Sequence, residues 1–228
     1  MDKNFKTRFV VGICLFVVAI IGLYTFDSVP FKIIYILFAL MAGVEVVSFL
    51  QRKHDFKHYF LTIVEIGFLY CSSLFIFQID VEHFWYIILG VPGYDIFAYL
   101  FGKRFGGKIF GKSRPFPRIS KNKTWEGTLF GLAVASGMVA LLMAFRFSFA
   151  SDWVFLLCGP LALCGDLFES YLKRQFRVKD SNEVVIKNLI FKKIEVLVGG
   201  TGGHGGYLDR IDSTAFTASV LLVIECFI

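Results

Sequence analysis

Polar residues are spaced far apart along much of this chain. Between them run apolar stretches at about 9–26, 29–50, 59–79, 84–101, 127–150, 153–172 and 213–228. Most approach the ~20 residues that an α-helix needs to cross ~30 Å of hydrocarbon. The pattern predicts an all-α, polytopic integral membrane protein with about seven transmembrane helices. Pro92-Gly93 interrupts the fourth stretch and the seventh is short, so these two depart from an ideal span. The first is not followed by a small-residue cleavage site, so it reads as a retained helix rather than a signal peptide. Two long polar segments remain, 102–126 and 173–212. The chain divides into N-terminal membrane helices over 1–83 and a second portion over 84–228 that carries both polar segments, the two forming one integrated unit.

Composition agrees with the pattern: 56% of the 228 residues are hydrophobic and 28 are Phe, with a mean hydropathy of +0.67. Charge adds an orientation. With a cytoplasmic N-terminus, the inside segments 1–8, 51–58, 102–126 and 173–212 hold 22 of the 24 Lys and Arg, and only Lys32 and Arg146 fall elsewhere. That partition follows the positive-inside rule and makes both polar segments cytoplasmic loops. The net charge of +6 therefore describes one face. Anionic lipid headgroups and nucleotide phosphates suit it as partners, and nucleic acid does not. Cys14, Cys71, Cys158, Cys164 and Cys226 lie in apolar spans without metal-type spacing and read as small buried hydrophobes. His54, His58 and His83 read as loop or interface residues.

The two loops carry the candidate chemistry. In 102–126, eight bases accompany the single acid Glu126, and Gly, Pro and Ser break any long helix. Ser120 and Thr124 place hydroxyls beside Lys121 and Lys123, which suits a nucleotide triphosphate, and Asp95 is an acid that a plain anchor helix would not keep. An anionic-lipid anchor is the alternative reading of this loop. Further on, Asp166, Glu169, Ser170, Lys173 and Arg177 share one helical face, acids first and bases after. Asp209 and Asp212 follow at i, i+3 spacing, so Asp166 and Asp209 could converge on one hard cation with a phosphate oxygen as a further ligand. The glycines between 199 and 206 let backbone N–H groups approach an anion, with His204 among them.

At these residues the chain resembles the phosphatidate cytidylyltransferases, or CDP-diacylglycerol synthases. Ser170, Lys173-Arg174, Lys179-Asp180 and the run His204-Gly205-Gly206-Tyr207-Leu208-Asp209-Arg210-Ile211-Asp212 match the family's C-terminal signature. Asp95, the Gly102 to Gly107 stretch and the block Ile119 to Gly127 are similar to its upstream block. The resemblance implies that CTP and phosphatidate give CDP-diacylglycerol and pyrophosphate for phospholipid synthesis. It implies Mg²⁺ on Asp166 and Asp209 with Asp212 supporting, and it allows a monovalent cation beside the Mg²⁺. Asp166, Ser170, Lys173, Arg174, His204 and Asp209 take the catalytic roles. Asp95, Ser120, Lys123, Thr124, Glu126, Lys179, Asp180, Gly205, Gly206 and Arg210 take substrate. The expected setting is a bacterial inner membrane with the site facing the cytoplasm, the chain acting alone or as a homodimer.

The chain also departs from the family pattern. It has 23 residues between Asp180 and His204 where relatives have a handful, and Lys121 stands where Pro is usual. The added piece, 183–198, suits an amphipathic helix lying on the cytoplasmic surface. Two alternatives follow. One is a non-catalytic relative, because the insertion splits the signature. The other is a transporter that uses Glu45, Glu65, Asp95 and Asp166 as an ion path.

Overall fold

A computed structural model describes residue 17 and residues 28–50, 55–111, 113–146, 152–178 and 206–227. Among these the fold is all-α. Helix α1 spans Val29–Phe49, α2 Phe56–Gln78, α3 Val81–Phe105, α4 Trp125–Arg146, α5 Cys158–Phe176 and α6 Leu208–Glu225, with a 3₁₀ turn at Trp153–Leu157 leading into α5. Local signals set the starts of these helices. A proline occupies the first turn of α1, where a missing N–H costs nothing. Asp55 and Asp80 stand in extended conformation just before α2 and α3. Pro92 does not end α3, which runs continuously through it; in a membrane helix, neighbours and local adjustment re-satisfy the freed carbonyl.

Five helices are long and apolar enough to cross a membrane: Val29–Phe49, Phe56–Gln78, Val81–Phe105, Trp125–Phe145 and Trp153–Phe176. Their outward faces leave Leu40, Ile63, Tyr70 and Phe77 each more than half exposed, which water would penalise and lipid does not. The protein is an integral membrane protein. Five of the seven expected spans are thus found among the described residues. The first expected span, 9–26, lies outside the described residues except for residue 17, as do the insertion at 183–198 and the loop over 199–205. The seventh stretch forms a helix, but α6 begins earlier than the apolar pattern does. It takes in Asp209, Arg210 and Asp212 and so carries a charged end that a plain span lacks.

Small residues bring the helices close, as expected where apolar surface alone cannot drive association. A Cβ at Gly131 would sit 2.8 Å from the Ala98 Cβ, and one at Gly90 would sit 2.8 Å from the Cys158 Cβ, so α3 lies tightly against α4 and α5. A Cβ at Gly165 would come 2.7 Å from the Ser213 Cα. That approach sets the spacing of α5 and α6 next to Asp166 and Asp212. Because the obstructing atom is backbone, Gly165→Ala must push the helices apart. It should cost about 1–3 kcal/mol, read as a lowered melting temperature of the purified protein; an unchanged melting temperature would mean the helices do not seat this closely.

Both α1 and α2 pack against α6, and α3 against α4, α5 and α6, around one core that includes Phe49, Trp85, Tyr86 and Phe176. One of the two bases outside the cytoplasmic segments has a structural use. Lys32 is buried and donates to the carbonyls of Ile79 and, at 3.5 Å, Phe77, capping the C-terminal end of α2. His58 is buried, with its Nε2 3.3 Å from the Gln175 carbonyl and its ring edge-on to Phe176. His83 stacks on Phe155 and faces Asp152 at 3.4 Å. His54 lies outside the described residues. The cysteines differ from the expectation of burial: Cys158 is buried and Cys71 half-buried, but Cys164 and Cys226 are exposed on the chain's surface. An apolar stretch therefore does not by itself require packing inside the bundle, and Cys14 lies outside the described residues.

Candidate active site

The first wall of the site is built by α3, α4 and the loop between them. The Gly127 N–H donates to Oγ1 of Thr124 at 3.0 Å, so Thr124 caps α4. A Cβ at Gly127 would meet the Gly102 Cα at 2.9 Å, which presses this capped end onto α3. Glu126 is fully buried, and its Oε1 accepts the N–H groups of Ile109 and Phe110, each at 3.0 Å. The loop between them turns through Gly107 and Gly111, whose φ values of 80° and 70° a side chain would resist. Folded this way, the basic loop covers a cavity of about 570 Å³ lined by Asp95, Arg114, Ser120, Lys123, Thr124 and Asp166 among others.

A second cluster joins α5, which brings Asp166 to the cavity, to α6. Asp166, Glu169 and Lys173 descend one face of α5. Lys173 Nζ lies 2.6 Å from Glu169 Oε2 and 3.1 Å from Asp209 Oδ1, joining the two helices through one ammonium. Asp209 Oδ2 accepts the Gly206 N–H at 2.7 Å. The Glu169 Oε1 is buried with no hydrogen-bond partner among the described residues. Asp212 is half-buried and lies within electrostatic reach of Asp95, Asp166 and Lys173.

Lys123 ties the loop to α5 and α3. Its Nζ forms an ion pair with Asp166 of α5 and lies 3.3 Å from the Tyr94 hydroxyl of α3. Burial works to strip its proton, but the Asp166 carboxylate and the Tyr94 phenol prevail and leave its pKa raised. A charged lysine thus stands at the cavity floor across the physiological range.

The structure brings together most of the residues expected from sequence, in altered roles. Asp95, Ser120, Lys123, Thr124 and Asp166 line the cavity. Thr124 spends its hydroxyl on the helix cap, and Glu126 turns to the loop backbone instead of the cavity. The Gly206 N–H is taken by Asp209. Ser170 is half-buried on α5, while Arg174 and Arg210 are exposed at the helix ends. Lys179, Asp180, His204 and Gly205 lie outside the described residues. Sequence reasoning missed Tyr94 and Arg114 as lining groups, and it did not assign Glu169 a site role. Tyr94 adjoins Asp95 in the chain, and that adjacency was the available signal.

A metal can be tested against the donor set. Asp95, Asp166, Glu169, Asp209 and Asp212 interact with one another and with Lys123 and Lys173. All the donors of this network are carboxyl oxygens, as Mg²⁺ prefers. The orphaned Glu169 Oε1 is in the same network. Among the described residues no three acid, His or Cys side chains converge closely enough to wrap an ion unaided. A Mg²⁺ here would therefore keep waters or take phosphate oxygens, its usual habit.

The sequence model of the cytidylyltransferase family matches residues 67–186. A protein of Rickettsia bellii named phosphatidate cytidylyltransferase is 33% identical to this chain, the alignment covering 98% of the chain and 91% of that protein. The protein of the same name from Rickettsia felis is 30% identical over 98% of the chain and 93% of its own length. Another so named, from Helicobacter pylori strain J99, is 42% identical over 56% of the chain and 42% of its own length.

Proposed function

The chain belongs to the cytidylyltransferase family, and on that footing we propose that it transfers the cytidylyl group of CTP to phosphatidate, giving CDP-diacylglycerol and pyrophosphate. One observation carries the reading: Lys123 of the upstream block pairs with Asp166, one helical turn before the Ser170 that opens the downstream signature. The upstream block and the helix that carries the start of the downstream signature, more than 40 residues apart in sequence, thereby share a single cavity.

A phosphatidate phosphate oxygen attacks the α-phosphorus of CTP, and the bond from that phosphorus to the bridging β-phosphate oxygen breaks. The protein needs to align the two and neutralise charge, with little covalent work of its own. Arg114 and Lys123 line the cavity where a triphosphate would lie, and Lys173 would turn to phosphate once phosphate competes for its carboxylates. Asp166 and Asp209, with Asp212 behind them, would hold Mg²⁺; when bound, the ion offsets the charge that gathers on the phosphoryl oxygens. Displacing Lys123 and Lys173 from those carboxylates towards phosphate would free ligand oxygens and phosphate-binding charge in one movement. The lipid substrate accounts for a site at the edge of a bilayer. The sidedness of the bases supports a site at the cytoplasmic face of a bacterial inner membrane, where anionic headgroups would meet the exposed Lys103, Arg104 and Lys108.

The transporter alternative loses support because two of its four acids are otherwise engaged: Asp166 pairs with Lys123, and Glu45 accepts backbone N–H groups. The test is direct. Purified protein given CTP, phosphatidate and Mg²⁺ should release pyrophosphate and form CDP-diacylglycerol in equal amounts, followed by mass spectrometry. If neither product forms while the protein moves solute across liposomes, the reading is wrong.

A further inference from the structure

Glu45 lies in α1, outside the stretch matched by the family model. It is 3% exposed, and a carboxylate so placed in a membrane-spanning helix is costly unless it is well partnered. Its partners belong to a distant part of the chain. Oε1 accepts the N–H of Tyr207 at 2.9 Å and Oε2 accepts the N–H of Leu208 at 2.9 Å. These are the first residues of α6, where backbone N–H groups have no partner within the helix and the helix dipole favours a negative charge. The residues before α6 are rich in glycine and offer no Ser, Thr, Asp or Asn at the cap position. Glu45 supplies from α1 the cap that α6 lacks. A second contact follows the same line, with the Phe38 ring edge-on to Tyr207, the centroids 5.4 Å apart.

The next residue is Asp209. Its Oδ2 takes the Gly206 N–H and its Oδ1 meets Lys173, so the turn 206–209 is held by Glu45 on one side and by α5 on the other. We propose that Glu45 is a positioning residue for cytidylyl transfer: it fixes the N-terminus of α6 and through it the orientation of the Asp209 carboxylate towards the phosphates and their cation. The inference rests on the proposed activity. It makes the N-terminal helices part of the catalytic apparatus rather than an anchor alone.

The test compares Glu45→Gln, Glu45→Asp and Ser219→Ala with the wild type. Ser219 sits on the same helix and donates to the Phe68 carbonyl at 2.7 Å, so its loss loosens α6 away from the site. Gln keeps the length of Glu but turns an NH₂ towards one of the two N–H donors, leaving it buried and unpaired. Glu45→Gln should lower kcat about tenfold or more while KM for CTP stays within about twofold, because the contact acts on the reacting geometry and not on nucleotide affinity. Amide hydrogen exchange should quicken in peptides covering 206–212 and not in those covering 158–172. Glu45→Asp, which keeps the charge on a shorter arm, should recover part of kcat. Ser219→Ala should leave kcat near wild type. Overturning results are a wild-type kcat in Glu45→Gln, an equal fall in Ser219→Ala, or a loss no greater than the loss of folded protein. A wild type that forms no CDP-diacylglycerol refutes the proposed function instead, and unchanged exchange at 206–212 refutes the cap without reference to activity.

Discussion

Asp209→Asn should lower the rate of CDP-diacylglycerol formation by about a thousandfold, and Asp166→Asn by a similar factor, with the protein still inserted and folded. Each carboxylate meets a lysine: Lys173 at 3.1 Å for Asp209, and Lys123 for Asp166. The amide variants keep the shape and remove the charge. Two consequences follow on the proposed reading. A cation that stabilises developing phosphoryl charge loses a ligand, an effect of several kcal/mol, and each ~1.4 kcal/mol is tenfold in rate. The lysine also loses the anion that places it. Asp212→Asn should cost less, since Asp212 meets the cluster through space, not through a lysine contact. The measurement is initial rate against Mg²⁺ concentration, with circular dichroism to confirm the fold. Rates within tenfold of wild type for Asp166→Asn would remove it from the site.

Lys173→Met should be the most destabilising single change in the site. The Lys173 side chain is 18% exposed, and it holds Glu169, at 3% exposure, and Asp209, at 14%. Its removal leaves two carboxylates close together with no ammonium between them, in a place water reaches poorly. Breaking a buried ion pair from one side costs about 3–5 kcal/mol because the abandoned charge remains. The lost stability should appear as a large fall in melting temperature in detergent. Pairing Lys173→Met with Glu169→Gln should return part of it, since the double variant removes the stranded charge as well. A double variant no more stable than Lys173→Met alone would show that Lys173 does not hold this network by charge.

Sequence and structure divided the description along physical lines. Hydrophobic runs of about 20 residues have one stable form in lipid, because each backbone N–H must be bonded within its own segment. The sequence by itself therefore determined an all-α membrane protein, four of the expected spans closely and a fifth with its 3₁₀ start. The spacing of Asp166, Glu169 and Lys173 likewise determined a shared helical face, because 3.6 residues per turn is a local property. Motif residues in order determined the family. What local patterns do not hold is which backbone groups a side chain will meet across the bundle. Thr124, Glu126 and Gly206 were expected to meet substrate, yet the structure engages each of them with a backbone N–H or carboxylate nearby. Glu45 read only as one acid of an alternative ion path; only the packing of α1 on α6 brings it, from 162 residues away in the chain, to the Tyr207 N–H. The pairing of Lys123 with Asp166 is of the same kind. A buried charge must find a partner, and the sequence states that need, while the tertiary structure alone decides which partner answers it.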